Sequence, residues 1–240
     1  MKHPICLINI LVTFAAFACS EDTGPSVERF SASQVVEAPA GLDLTASDAL
    51  ADGVYGAGDR AGNTDSVLSL GLSADNNNYI VLGWNGRLVV NGDGPDFAVF
   101  ENAFQIGDSG DRFMDPVVVE VSLDGDVWVP FPFDYTAPDE TIYSPNPDHW
   151  RGFAGISPVR LNEADNPVDP MDAALAGGDH FDLDDLSDAP EAQHIRQEGF
   201  YYLRLTAAAT VINPDTGAPF VRDSAANGPD IDGVYAAQVE

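Results

Sequence analysis

Cysteine is nearly missing from this chain: there are two, Cys6 and Cys19, and both lie within the first nineteen residues. Beyond Cys19 no thiol remains, which excludes a disulfide framework, a thiol nucleophile, a zinc–thiolate site and an iron–sulfur cluster from the body. Lysine is scarcer still. Lys2 is the only one, so the residues from Cys19 onward set nine arginines against 39 acids, a net of −30 (9 − 39). Such a field repels phosphate backbones and gives anionic lipid no basic patch, which excludes nucleic-acid binding and charge-driven membrane docking. No apolar run approaches the roughly 20 residues that a transmembrane helix needs. Also missing are an H-x-x-x-H metal pair, a G-x-S-x-G nucleophile elbow and a twelve-residue EF-hand loop.

What is present begins with the leader. Lys2 precedes an apolar run from Ile5 to Phe17, and Ala16-Phe17-Ala18-Cys19 closes it. A positive start, a short apolar stretch and small residues at a cleavage point are the physical marks of a secretory signal. The last four residues resemble a bacterial lipobox, although Ala16 stands where leucine is usual. The expected division is a lipoprotein signal over 1–18, a lipidated Cys19 with a polar tether over 19–28, and one domain over 29–240. The expected address is the bacterial outer membrane or cell surface, with the lipid holding the chain to the membrane.

The acidity has two readings. A strongly charged surface keeps a protein soluble in a saline habitat. Alternatively, the excess of aspartate, 29 against 10 glutamates, supplies short hard-oxygen side chains of the kind that calcium loops use.

Along the body, short runs rich in β-branched and aromatic residues alternate with Gly, Pro, Asn and Asp clusters. Tyr79–Trp84, Arg87–Val90, Phe97–Phe100, Val117–Ser122, Asp126–Phe131, Phe200–Leu205 and Gly233–Ala237 read as strands. Asn85-Gly86 and Asp124-Gly125 read as tight turns. Short helical turns are expected near Asp169–Ala176 and Asp184–His194. Many short strands with frequent turn signals predict an all-β domain, a sandwich, jelly roll or barrel. The Pro/Asp-rich stretch from Asp134 to His194 is the least strand-like, and reads as a long loop that is either functional, at the rim of a binding face, or partly disordered.

One block is distinctive: Gly94-Pro95-Asp96-Phe97-Ala98-Val99-Phe100-Glu101-Asn102. With Val119-Glu120-Val121-Ser122-Leu123-Asp124-Gly125, Gly177-Gly178-Asp179-His180-Phe181 and Pro229-Asp230-Ile231-Asp232-Gly233, it resembles a bacterial cell-surface-protein family marked by Gly-Pro-Asp-Phe-x-Val-Phe-Glu-Asn. The layout is similar to galactose-binding-like (discoidin-type) jelly rolls. The resemblance spans about Phe30 to Val239 and implies a single extracellular jelly roll with long loops, in which a structural calcium often joins the termini.

Strand alternation puts Phe97, Val99 and Glu101 on one face and Ala98, Phe100 and Asn102 on the other. Glu101 then ends an apolar strand, where it is solvated, paired or bound to a cation. Asp96 is either a turn cap or a ligand. Asp230 and Asp232 flank Ile231, and Asp59, Asn63 and Asp65 form an oxygen-rich loop; together with Asp96 and Glu101 these are the candidate Ca²⁺ ligands. Asx-turns are the competing account. Asp179 with His180 is the nearest approach to an acid–base couple. Tyr135, Tyr143 and Trp150, set among Pro, Asp and Asn, are the candidate rings for a sugar or a hydrophobic ligand if exposed; loop aromatics folding back on the domain are the competing account. The leading expectation is a non-catalytic, calcium-stabilised surface module for a glycan or protein ligand. The alternatives are a polysaccharide hydrolase using an Asp/Glu pair and a structural matrix component.

Overall fold

Alternating apolar residues lay down two five-stranded antiparallel sheets that share one core. The computed structural model describes residues 30–38, 67–72, 78–162, 166 and 168–240. Cys19 and the candidate ligands Asp59, Asn63 and Asp65 lie outside the described residues. The first sheet runs β1 (Phe30–Ser31), β14 (Asp230–Ala236), β5 (Phe97–Glu101), β12 (Asp179–Phe181), with β3 (Leu68–Ser69) also pairing β14. The second runs β2 (Gln34–Glu37), β4 (Tyr79–Gly83), β13 (Tyr202–Ala207), β8 (Val117–Ser122), β9 (Val129–Pro130). Two small hairpins stand apart, β6 (Phe104–Gln105) with β7 (Arg112–Phe113), and β10 (Asp134–Tyr135) with β11 (Trp150–Arg151).

β13 keeps the expected alternation. Leu203 and Leu205 enter the core, while Tyr202, Arg204 and Thr206 face outward and stay half-buried. β5 does not alternate in burial, because both its faces are covered. Phe97 and Val99 join the main core with Ile80, Leu82, Val119, Leu205 and Ile231. Ala98 and Phe100 pack on the other side against Val159, Leu161, Ala176 and Tyr235. The two faces expected for this block are therefore real, and each has its own apolar partner. Phe97 is the hinge of the main core, stacked on Phe181 at 5.2 Å and edge-on to Phe131 and Phe200.

The stretch from Asp134 to His194 is not a rim loop. It supplies β10, β11 and the edge strand β12, two helices, α1 (Ala173–Ala176) and α2 (Pro190–Glu198), and the cover over β5. Aspartates start its helical turns: Asp172 caps α1 through the amides of Ala174 and Leu175, and Asp182 caps the 3-10 turn Leu183–Asp185. The chain passes so close to itself at Gly152 (φ +73°) that a Cβ there would stand 2.0 Å from the Pro132 carbonyl oxygen. Asn85 and Gly86 both take positive φ between the bridged Trp84 and Arg87, the geometry of a two-residue hairpin turn. Asp124-Gly125 instead sits in a longer β8–β9 loop, where the Asp124 carboxylate accepts the amides of Asp126 and Val127.

Candidate functional site

Strand register brings acids together at the end of β5. Ile231 of β14 lies opposite Glu101, and the register slips between Ile231 and Gly233, leaving Asp232 as the extra residue of a bulge. The Asp230 amide donates to Glu101 Oε1 at 3.2 Å. Glu101 is 3 % exposed, and its Oε2 accepts no hydrogen bond among the described residues. Burial, then the charges of Asp115, Asp230 and Asp179, push its carboxyl well above the ordinary range.

The neighbours arrive from separate segments. Asp115 comes from the β7–β8 link; burial, followed by the charges of Asp230 and Asp223, raises it to about 6 against the pull of Arg222. Asp179 begins β12, and its Oδ2 accepts the amides of Ile156 (2.9 Å) and Ser157 (3.2 Å). Burial also raises Asp230, whose carboxylate is held by the Ser69 hydroxyl. The 154–157 loop closes over Glu101, tied to β8 by the Ala154–Val117 bridge. A Cβ on Gly155 would meet the Asp115 carbonyl oxygen at 2.7 Å and Glu101 Oε2 at 3.3 Å. Among the described residues no group of three or more His, Cys, Asp or Glu side chains is placed to hold a metal ion.

Of the acids expected to act together, Glu101 accepts only the backbone amide of Asp230, whose carboxylate is held by Ser69, and Asp232 is buried in the adjoining bulge. Asp96 does not join them. It stands at the opposite end of β5, where Oδ1 accepts the Gly92 amide at 2.7 Å and Oδ2 the Leu183 amide at 2.8 Å. That is the cap alternative, with an addition: it clamps a distant turn as well as its own. Asp115 and Asp179 were not among the expected ligands. Asp115 stands immediately before Pro116 and a valine run, and nothing local marks it as a partner of Glu101. Asp179 and His180 diverge, since His180 Nε2 meets the Pro170 carbonyl at 3.0 Å while Asp179 holds the 156–157 amides.

For the aromatic set the structure takes the fold-back account over exposure. Tyr135 and Trp150 are each 2 % exposed and pair across the β10–β11 hairpin, their rings 4.1 Å apart; Tyr143 is half-buried against them. Phe153 and Phe220 complete this second core. The polar ends are used inward as well: the Trp150 indole donates to the Ser144 carbonyl at 2.9 Å and the Tyr135 hydroxyl to the Ile142 carbonyl at 2.7 Å. Pro and Asp neighbours do not keep these rings exposed, because a loop with its own hairpin can fold them back.

An open groove lies elsewhere, on the outer face of the second sheet. Tyr79, Val118, Glu120, Pro130, Phe133, Arg204, Thr206 and Val211 line a space of about 330 Å³. At its centre Arg204 and Glu120 form a forked pair, Nε to Oε2 at 2.6 Å and Nη2 to Oε1 at 2.7 Å. The guanidinium lies 4.3 Å from the Trp128 ring centre and 5.8 Å from that of Tyr79. Position 204 is outward because β13 alternates, and Glu120 is its directly paired residue on β8.

The chain matches no family model, curated protein or solved structure. Its chemistry rests on these residues alone.

Proposed function

We propose that this chain is an exported, lipid-anchored surface module, a jelly roll that holds a neutral glycan in the Tyr79–Arg204 groove without transforming it. The observation that carries this reading is the Arg204–Glu120 fork, braced between Trp128 and Tyr79 on an open sheet face. A groove of about 330 Å³ lies within the usual ligand-site range of roughly 300–1,000 Å³. Tyr79 and Phe133 offer apolar ring faces to the C–H surface of a sugar, and the fork offers fixed donors and acceptors to its hydroxyls. Charge selects a neutral ligand: Glu120 cancels Arg204 locally, and the net −29 of the whole chain repels anionic polysaccharide. Glycoside hydrolysis ordinarily needs two carboxyl groups about 5–9.5 Å apart. Among the described residues lining the groove Glu120 is the one carboxylate, and it is engaged on both oxygens, while Glu37 beside the groove accepts the Tyr79 hydroxyl. The lipobox-like Ala16–Cys19 and the resemblance of the Gly94–Asn102 block to cell-surface proteins support the address and the jelly roll.

Calorimetric titration with neutral and uronic-acid oligosaccharides tests the groove. Neutral chains are expected to bind, with Arg204→Ala weakening them at least about tenfold; an absence of saccharide binding, or binding indifferent to Arg204, would refute the glycan reading and favour a protein ligand. Palmitate labelling that disappears in Cys19→Ala tests the anchor.

A further inference from the structure

We infer that Asn85 is a self-modification site: in the folded chain the exposed Asn85-Gly86 turn deamidates to aspartate and isoaspartate, and the isoaspartate loosens the clasp on the C-terminus. An asparagine before glycine is open to this chemistry because glycine has no side chain to shield its own amide or stiffen its backbone. The sequence holds three such pairs, Asn85-Gly86, Asn91-Gly92 and Asn227-Gly228. The reaction needs an asparagine side chain free to swing and a following amide nitrogen free to attack it. The fold meets both needs at one pair and denies them at two.

The Gly92 amide is held by Asp96 Oδ1 at 2.7 Å, and the Asn91 side chain donates to Asp184 Oδ1 at 3.0 Å. The Gly228 amide is bonded to the Asp115 carboxylate, and Gly228 is buried hard against the Gly71 backbone. The remaining pair differs. Asn85 and Gly86 are both exposed, and among the described residues the Gly86 N–H has no acceptor. Nothing stands within 4 Å of where a Gly86 Cβ would be. An exposed 3.2 Å bond to Ser33 Oγ restrains the Asn85 side chain, and a 3.1 Å bond from the Arg87 amide to the Trp84 carbonyl closes the turn. Opening that bond lets Asn85 leave its φ of +54° and carry its side chain to the Gly86 nitrogen.

The Gly86 nitrogen bonds to Asn85 Cγ and gives its proton to water; the Cγ–Nδ2 bond breaks, and the side-chain nitrogen leaves as ammonia. Water then opens the cyclic imide. Attack at Cγ yields aspartate, whereas attack at the backbone carbonyl carbon yields isoaspartate, whose main chain runs through Cβ and is one carbon longer. That carbon falls inside the turn that bridges Trp84 and Arg87. Arg87 donates to the Val239 carbonyl at 3.2 Å and lies over the Phe30 ring, and Leu88 exchanges two 2.8 Å backbone bonds with Glu240. A longer turn displaces Arg87 and Leu88, so the hold on the last residues slackens. No part of this rests on the saccharide reading.

The test keeps the full chain in detergent at neutral pH, folded or in urea, and follows its tryptic peptides by mass spectrometry with electron-transfer fragmentation, which separates isoaspartate from aspartate. In the folded chain Asn85 is expected to convert at least about tenfold faster than Asn91 or Asn227, since each of those must first break a hydrogen bond to a carboxylate. In urea the three rates should converge. Amide exchange at Leu88 and Glu240 should be faster in the isoaspartate form than in Asn85→Asp, which adds the charge without the extra carbon. Equal folded rates at the three pairs, or conversion of Asn85 in urea alone, would overturn the modification site; unchanged exchange in the isoaspartate form would overturn its effect on the clasp.

Discussion

Replacing Asp96 by alanine removes one carboxylate and strands two amides. The Gly92 and Leu183 N–H groups donate to its two oxygens at 2.7 and 2.8 Å, and the residue is 1 % exposed. Its backbone is committed as well, donating to the Phe181 carbonyl and accepting from the Ala237 amide, both at 2.8 Å. The lost side chain thus frees the 91–96 turn from the 3-10 turn that follows β12. A buried donor without its acceptor costs about 1–3 kcal/mol, so the pair predicts a loss of about 2–6 kcal/mol at pH 7. Asp96→Asn retains one acceptor but turns its NH₂ toward the other amide, and should lose about half as much. The pH dependence gives an independent check. Burial raises Asp96 to about 6 from its ordinary 3.8, only partly offset by the two amides. The folded chain therefore holds this proton at a pH where the unfolded chain has released it. Its favourable contribution is complete below pH 4 and declines as pH rises toward 6. The gap between wild type and Asp96→Ala should accordingly shrink between pH 4 and pH 7. Urea denaturation followed by tryptophan fluorescence measures both quantities. A loss below about 0.5 kcal/mol, or a gap that widens with pH, would refute the clamp.

Three further substitutions test other parts of the molecule. Trp150→Ala should lower stability by about 3–5 kcal/mol through the second core, with saccharide affinity per folded molecule unchanged; a specific loss of affinity would restore Trp150 as a binding residue. Gly152→Ala forces a Cβ to within 2.0 Å of the Pro132 carbonyl at a positive φ, and should cost more than about 4 kcal/mol, read as a collapse of soluble expression or Tm. Arg204→Lys keeps the charge but loses the fork on Glu120, so saccharide affinity should fall while Tm changes by only a few degrees.

The strand-rich class was legible because alternation is local. The burial of Leu203 and Leu205 beneath an outward Arg204, the split of Phe97 and Val99 from Ala98 and Phe100, and the Asn85-Gly86 turn all follow from periods of two and from positive φ. The short helical turn within Asp169–Ala176 was legible as well, and Asp172 caps it. The fate of Tyr135, Tyr143 and Trp150 was not, since their exposure depends on a β10–β11 pairing that composition conceals.

By itself, then, the sequence determined an all-β body without disulfides or lysine, with an acidic field, and with the carboxylate of Glu101 at the end of an apolar strand. Tertiary structure alone decided what surrounds that carboxylate. Asp115, Asp179 and Asp230 reach it through a bulged register 130 residues away (231 − 101) and through a loop crossing at Gly155. Neither is encoded by residues near Glu101, because long-range register is set by the packing of whole sheets and not by neighbours in the chain.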